Sequence, residues 1–280
     1  MSEDAFPPRL YLIGAQKAGT TTLAFMMDQH PDIALSDPKE PGYFVDPDSK
    51  GIEWYRGCFP KVLPSMLLDA STGYTMTTTQ NDPDDGIPIR IKAVAPDARF
   101  IYVLRDPVDR TISAYWHDKR AGHPLGELRQ AVDDTPFYVD VSFYHTQIAQ
   151  YLAHFPRDRF LFIGFDELGR DPVGVAERCI AFAGLDPSKG DLKFEEPKNQ
   201  SFQFNGIGRI FFNLFPNERV ASRFVGLIKA LTPGIVHRLA KSAMTKPTTE
   251  TENTDRGWLA ARFEEENRHM EQLTGIRFYR

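Results

Sequence analysis

Residues 10–22 read LYLIGAQKAGTTT, an apolar run followed by a loop with two glycines and a lysine, and then three threonines. A continuous apolar run is typical of a buried strand in a parallel sheet. The residues that follow, 23–27, predict a helix. Backbone N–H groups in such a loop and at a helix N-terminus attract anions. The stretch therefore predicts a strand, a phosphate-binding loop and a helix.

The loop departs from the P-loop pattern GxxxxGK[ST] at the lysine. Gly14 and Gly19 have the spacing of the P-loop glycines, but Thr20 stands where the P-loop lysine belongs. The lysine lies inside the loop as Lys17, where it offers a point charge to a phosphate oxygen. A loop lysine on its own would more often be solvated. The strand before it and the threonines after it favour the phosphate site.

Length and composition point to one medium α/β domain, or one domain with a small addition. The chain has 280 residues, 41% of them hydrophobic, and a net charge of −5, which argues against a general nucleic-acid-binding protein. Cys58 and Cys179 lie far apart and are expected to be reduced, buried packing residues. The polar start, 1–9, resembles no signal peptide, and no stretch approaches the ~20 apolar residues of a membrane span. We expect a soluble, cytoplasmic protein.

Strands and helices alternate along the chain. The pattern predicts a central parallel sheet with helices on both faces, similar to P-loop NTPases. The predicted strands are 9–14, 33–35, 66–70, 99–104 and 159–164, and the predicted helices are 20–30, 87–95, 106–116, 143–154, 172–183 and 258–273. The intervening loops include 46–51 and a threonine-rich stretch, 245–254.

A second anion site is predicted where strand 99–104 ends. Arg105 follows this strand, and ligands of parallel sheets bind beyond the carboxyl ends of strands. Ser113 lies about two turns along the next helix, which Asp106 is expected to cap. An arginine and a hydroxyl suit a second phosphate. The alternative is that Arg105 pairs with Asp106 or Asp109.

Two phosphate sites indicate a nucleotide that carries phosphates at two positions. A kinase would need a lysine in place of Thr20 and an aspartate near a strand end for Mg²⁺. Asp69 could serve as this aspartate, but nothing else in the sequence supports that role. A metal-free group transfer fits better. A kinase of a small metabolite remains the alternative, and a nucleotide-binding interaction protein without catalysis is a third class.

Several motifs resemble the sulfotransferases that use 3′-phosphoadenosine 5′-phosphosulfate (PAPS). QKAGTTTL at 16–23 is similar to the family's 5′-phosphosulfate loop, and YVLRDPVDRTISAY at 102–115 to its 3′-phosphate motif. Further motifs resemble the heparan-sulfate-type branch, which includes Golgi glycosaminoglycan enzymes, and its soluble bacterial relatives. They are KEPGYF at 39–44, DASTGY at 69–74, SFYH at 142–145, the Phe-Pro pair at 155–156 and Leu273-x-Gly275.

The resemblance implies PAPS as donor, 3′-phosphoadenosine 5′-phosphate (PAP) as product, and no metal. Lys17 would stabilise the leaving phosphate, while Arg105 and Ser113 would hold the 3′-phosphate. A late lysine–glycine loop also closes over this phosphate in the family, and Lys246 is the nearest match, although proline follows it. The remaining residues implied in 5′-phosphate binding are Gln16, Ala18, Gly19, Thr20, Thr21 and Thr22.

The resemblance also implies that Glu40 is the general base, which takes a proton from an acceptor hydroxyl or amine. Without the resemblance, Glu40 would read as a solvated loop residue. Other sulfotransferases use a histidine, and His145 is the best alternative here. The acceptor class stays open among small molecules, lipids and carbohydrates. The heparan-type branch has a lysine within the segment that matches 69–74, and this chain has none.

Residues 206–244 differ from the rest of the chain. They carry six basic residues, one acid and many apolar side chains. We expect a basic amphipathic helical insertion or lid within a single domain, 1–280. Contact with the acceptor or with an anionic membrane surface is the alternative.

Overall fold

Five parallel strands form the central sheet, in the order β2-β3-β1-β4-β5. All five residues of the middle strand, β1, are buried, as the opening stretch predicted. The five strands are β1 (Leu10–Gly14), β2 (Ile33–Leu35), β3 (Met66–Asp69), β4 (Arg99–Leu104) and β5 (Phe160–Gly164). The predicted fold class is therefore confirmed.

The computed structural model describes residues 6–61, 64–77, 86–194, 202–204, 245–247 and 256–278. The chain divides into a larger unit, which holds the sheet, and a smaller one of residues 116–124 and 197–253. In the smaller unit, β6 (Phe202–Phe204) pairs antiparallel with β7 (Thr245–Pro247). The predicted insertion, 206–244, lies outside the described residues, so the single-domain organisation stays a prediction.

Helices and short 3₁₀ turns connect the strands. The 3₁₀ turns are Tyr43–Val45, Thr72–Thr75, Arg157–Arg159, Pro187–Lys189 and Ala261–Phe263. The helices are α1 (Thr20–Met27), α2 (Pro47–Lys50), α3 (Ile52–Gly57), α4 (Ile87–Val94), α5 (Pro107–Ala121), α6 (Leu128–Asp134), α7 (Phe137–Asp140), α8 (Tyr144–Leu152), α9 (Phe165–Arg170), α10 (Pro172–Phe182), α11 (Arg256–Ala260) and α12 (Glu264–Thr274).

Three local predictions were wrong. The predicted loop 46–51 contains α2, because Asp46 caps the helix by accepting from the Ser49 N–H and Pro47 occupies its first turn. The threonine-rich stretch begins with strand β7. The closing helix is broken into α11, a 3₁₀ turn at Ala261–Phe263 and α12.

Both cysteines are free and buried, as expected, and burial raises the pKa of the Cys179 thiol to about 12.

Asp69, at the end of β3, is fully buried and connects the sheet to helix α3 and to the 3₁₀ turn at Thr72–Thr75. Its Oδ2 accepts hydrogen bonds from the hydroxyls of Tyr55, at 2.7 Å, and Tyr74, at 2.8 Å, and its Oδ1 accepts one from Ser71 at 2.6 Å. Burial raises the pKa of the Asp69 carboxyl, and these hydrogen bonds oppose the rise. The carboxylate therefore accepts from all three of these hydroxyl groups.

We expect Asp69→Asn to lower the free energy of unfolding by about 1–3 kcal/mol. The asparagine NH₂ group is a donor and would replace a carboxylate oxygen that now accepts a hydrogen bond from a buried hydroxyl. Urea unfolding followed by circular dichroism measures the loss. Asp97→Asn is the control, because this aspartate is 49% exposed and pairs loosely with Arg9 at 3.5 Å. Equal effects of the two substitutions would mean that the buried hydrogen bonds around Asp69 contribute little.

Candidate active site

The loop between β1 and α1 is tied to the neighbouring strand. The Ala15 N–H donates to the Val103 carbonyl of β4 at 2.8 Å, and the Ala18 N–H turns back to the Ala15 carbonyl at 3.1 Å. Gly14 allows the close approach: a Cβ at this position would lie 2.8 Å from the ring of Tyr102. The loop is therefore packed against the carboxyl end of β4, where the second anion site was predicted.

Two residues of this loop adopt left-handed backbone conformations. Lys17 has φ of 69°, an uncommon value for a residue with a side chain, and Gly19 has φ of 79°. Gly19 is the N-cap of α1, and neither a side-chain cap nor an acid satisfies the first turn of this helix. A Cβ on Gly19 would lie 3.0 Å from Leu168 and 3.2 Å from Phe165. The helix start is thus left open to an anion.

Arg105 joins the two predicted phosphate sites. Its Nη1 donates to the Lys17 carbonyl at 3.0 Å, and its guanidinium lies 4.9 Å from the ring centroid of Phe165. Its buried Nε has no hydrogen-bond partner among the residues that the structure describes. A buried, unpartnered guanidinium N–H beside an open helix N-terminus is suited to an anionic group.

The alternative, in which Arg105 pairs with Asp106 or Asp109, is not found among the described residues. Asp106 caps α5, as expected, by accepting from the Asp109 N–H at 3.0 Å, and Asp109 pairs with Arg256 at 2.5 Å. Burial raises the pKa of the Asp106 carboxyl, and the hydrogen bond from the Asp109 N–H opposes this rise. Arg105 therefore contacts the Lys17 loop and neither of the two aspartates.

Two other polar residues of the same motif, Arg110 and Thr111, hold the structure together. The fully buried Arg110 donates from Nε to the Ser142 hydroxyl at 2.6 Å and from Nη2 to the Tyr138 carbonyl. Thr111 donates to the same carbonyl at 3.0 Å. Ser113 lies one residue beyond Ile112 on α5 and is buried, with 8% exposure. No pattern in the sequence indicated that Arg110 would hold the segment that leads into α8.

Glu40 is exposed but held in place. Its Oε2 accepts from the Thr72 hydroxyl at 2.8 Å and from the Thr72 N–H at 3.3 Å, while Oε1 pairs with Lys39 at 2.8 Å. Lys39 also donates to the Ala70 carbonyl at 3.1 Å. The 3₁₀ turn that contains Thr72 is itself tied to β1, because the Thr75 hydroxyl donates to the Ile13 carbonyl. Glu40 is therefore anchored at the sheet edge where the Lys17 loop begins.

His145 and Lys246 are the two remaining candidates. His145, on α8, contacts His269 of α12 with the two rings tilted, at 4.8 Å between ring centroids. Lys246 lies in β7 opposite Gln203, in the smaller unit, and its side chain is not among the described ones. Sequence reasoning gave no role to Phe165 or Thr72. Phe165 could have been identified only by its position, because it directly follows β5 at the carboxyl edge of the sheet.

We expect Gly19→Ala to destabilise the protein more than Gly275→Ala. Both glycines have left-handed backbones, with φ of 79° and 75°, but a Cβ on Gly275 would meet nothing within 4 Å. Gly275→Ala should cost about 1–2 kcal/mol for the backbone alone. Gly19→Ala should cost roughly 1–3 kcal/mol more, because Leu168 and Phe165 must move. Urea unfolding measures both, and equal losses would contradict the packing argument.

Comparison with known proteins agrees with this geometry. The family profile described as sulfotransferase domain matches residues 7–205. The chain is 32% identical over 204 residues to human heparan sulfate glucosamine 3-O-sulfotransferase 3B1, covering 70% of this chain and 50% of that protein. It is 29% identical over 215 residues to human bifunctional heparan sulfate N-deacetylase/N-sulfotransferase 2, covering 68% and 24%. The chain thus spans half the length, or less, of these two curated relatives.

A solved structure adds to the likeness. The sulfotransferase from Alicyclobacillus acidocaldarius superposes with a TM-score of 0.59 at 26% identity, covering 80% of this chain and 95% of that one. The profile match includes the Lys17 loop, Glu40 and Arg105. The chain belongs to the sulfotransferase domain family, the enzymes that take a sulfuryl group from PAPS and release PAP.

Proposed function

We propose that this chain transfers a sulfuryl group from PAPS to a hydroxyl or amine of an acceptor. Glu40 serves as the general base and Lys17 stabilises the leaving phosphate. The observation that carries the proposal is the hydrogen bond from Arg105 to the Lys17 carbonyl. It brings two anion-binding features, which the sequence separates by 88 positions, to one edge of the sheet. A nucleotide with phosphates at two positions matches such a pair.

The residues present fit the nucleotide. The open N-terminus of α1 and the loop of residues 16–22 suit the 5′-phosphate, and the unpartnered Nε of Arg105 suits the 3′-phosphate. Ser113 is proposed as a second donor to the 3′-phosphate. Lys246 stays a prediction from the resemblance. When bound, PAPS supplies an activated sulfuryl group on its 5′-phosphate.

The chain's own part in the reaction is to place charge and to move one proton. The acceptor oxygen or nitrogen bonds to sulfur as the bond from sulfur to the phosphate oxygen breaks, and its proton passes to the Glu40 carboxylate. Lys17 meets the negative charge that the departing phosphate gains. Thr72 and Lys39 hold Glu40 in one place, so the base is positioned before the acceptor arrives.

The kinase alternative has no support at Asp69. Both oxygens of this carboxylate accept hydrogen bonds from buried hydroxyls, of Tyr55, Tyr74 and Ser71, and the side chain is not exposed. A magnesium ligand at this position would have to break that arrangement. The acceptor class stays with small molecules, lipids or carbohydrates, and the carbohydrate option is the one that the relatives' names favour.

Calorimetry with PAP and with ATP tests the proposal. We expect PAP to bind at least about tenfold more tightly than ATP, because only PAP has the 3′-phosphate that Arg105 would hold. We expect EDTA to leave transfer from PAPS unchanged. Tight binding of ATP without a response to PAP would overturn the proposal.

Arg105→Ala should weaken binding of PAP by about tenfold or more, the equivalent of one charge-assisted hydrogen bond. Binding of AMP, which lacks the 3′-phosphate, should fall less, through the lost contact with the Lys17 carbonyl alone. Calorimetry measures both ligands. Arg9→Ala is the control, since Arg9 is half-exposed and pairs with Asp97. Equal losses for PAP and AMP would make Arg105 purely structural.

Glu40→Gln should lower kcat by at least about 10²-fold, because the amide cannot accept the acceptor's proton. PAP affinity should stay within about twofold, since the amide retains an oxygen for Thr72. Transfer of labelled sulfate from PAPS measures kcat, and Glu177→Gln, on the exposed face of α10, is the matched control. A fully active Glu40→Gln enzyme would assign the base role to His145 or to the acceptor itself.

A further inference from the structure

Exposed apolar side chains are concentrated just after Glu40 in the chain. Among the described residues, seven large apolar side chains are exposed, and three of them, Val45, Ile52 and Trp54, fall within ten consecutive positions. Val45 is 52% exposed and Trp54 40%. Exposed aromatic and aliphatic groups this close together are a common mark of a binding surface.

Two sets of contacts connect these side chains to Glu40. The Lys50 ammonium lies 4.6 Å from the ring centroid of Trp54 and donates to the carbonyl of Pro41, the residue after Glu40, at 2.5 Å. In the second set, a methyl of Val45 lies 3.8 Å from the position that a Cβ on Gly73 would occupy. Gly73 directly follows Thr72, which holds the Glu40 carboxylate. Trp54 and Val45 are therefore each connected to a residue next to Glu40 or next to its partner Thr72.

The charges around this surface do not suit a polyanion. Residues 37–57 contain five acids and three bases. Each base is already engaged: Lys39 with Glu40 and the Ala70 carbonyl, Lys50 with Pro41 and Trp54, and Arg56 over the ring of Phe6 at 4.8 Å. A polysulfated chain would meet a surplus of negative charge here, and like charges oppose binding.

We propose that the acceptor is an uncharged amphiphile, a hydroxyl group carried on an apolar body. The apolar body packs on Trp54 and Val45, and the hydroxyl reaches Glu40. This inference rests on the proposed sulfuryl transfer and narrows its acceptor. Complementarity to the exposed apolar side chains and to the acidic surroundings selects a neutral molecule over a sulfated polysaccharide.

The experiment measures transfer of labelled sulfate by the full chain to three neutral probes, n-octyl glucoside, 1-decanol and 2-naphthol, and to heparan sulfate. We expect at least one neutral probe to be sulfated, with heparan sulfate a poor acceptor. Raising the salt concentration from 50 to 300 mM should change KM for the neutral probe by less than about twofold, since screening acts on charges. Sulfation of heparan sulfate alone, or of none of the four, overturns the inference.

Trp54→Ala then tests the surface. KM for the neutral probe should rise about ten- to hundredfold from the lost apolar contact, while kcat stays within about threefold. Trp54→Phe should restore most of the loss. Phe194→Ala is the matched control, because this side chain is exposed to a similar degree, 42%. An unchanged KM for Trp54→Ala would also overturn the inference.

Calorimetry with PAP on the same preparation separates this inference from the proposed function. If PAP fails to bind, the sulfuryl transfer itself is wrong. If PAP binds and the neutral probes are not sulfated, only the acceptor assignment is wrong.

Discussion

The central position of β1 in a parallel sheet is the constraint on which the site depends. With β3 on one side and β4 on the other, the loop after β1 lies between the loops that follow both neighbours. Parallel strands all end at the same edge, so three loops distant in sequence meet there. The Lys17 loop, Arg105 and the turn that holds Glu40 owe their proximity to this strand order.

The donor side of the site is built largely from backbone. The loop turns through left-handed residues at Lys17 and Gly19, and α1 begins without a side-chain cap. Main-chain N–H groups and a helix dipole lose little conformational entropy when an anion arrives, because the fold has already ordered them. Arg105 adds a positive charge beside this loop and also stabilises the loop, through its hydrogen bond to the Lys17 carbonyl.

The sequence predicted the sheet well because its strands are continuous apolar runs, and β4 was predicted with its observed bounds. Two short elements were not predicted. Helix α2 depends on the cap formed by Asp46, and the 3₁₀ turn at Ala261–Phe263 interrupts a sequence pattern that is typical of one continuous helix. The contact of Glu40 with Thr72 was not predictable, because it requires knowing that β3, which Thr72 follows, lies beside β2, which Glu40 follows. The same holds for Arg105, whose nearby aspartates proved to be engaged elsewhere.

Donor and acceptor sides of this site differ in how exposed they are, and this difference bears on catalysis. Glu40 is 44% exposed, so water competes for its carboxylate until an acceptor covers it. An apolar acceptor body lying on Trp54 and Val45 would exclude that water and strengthen every electrostatic interaction at the reacting atoms. A highly hydrated polyanion would exclude it less. In our proposal, the exposed side chains of Trp54 and Val45 therefore have two roles. They select a neutral acceptor, and they hold it where it excludes water from the Glu40 carboxylate.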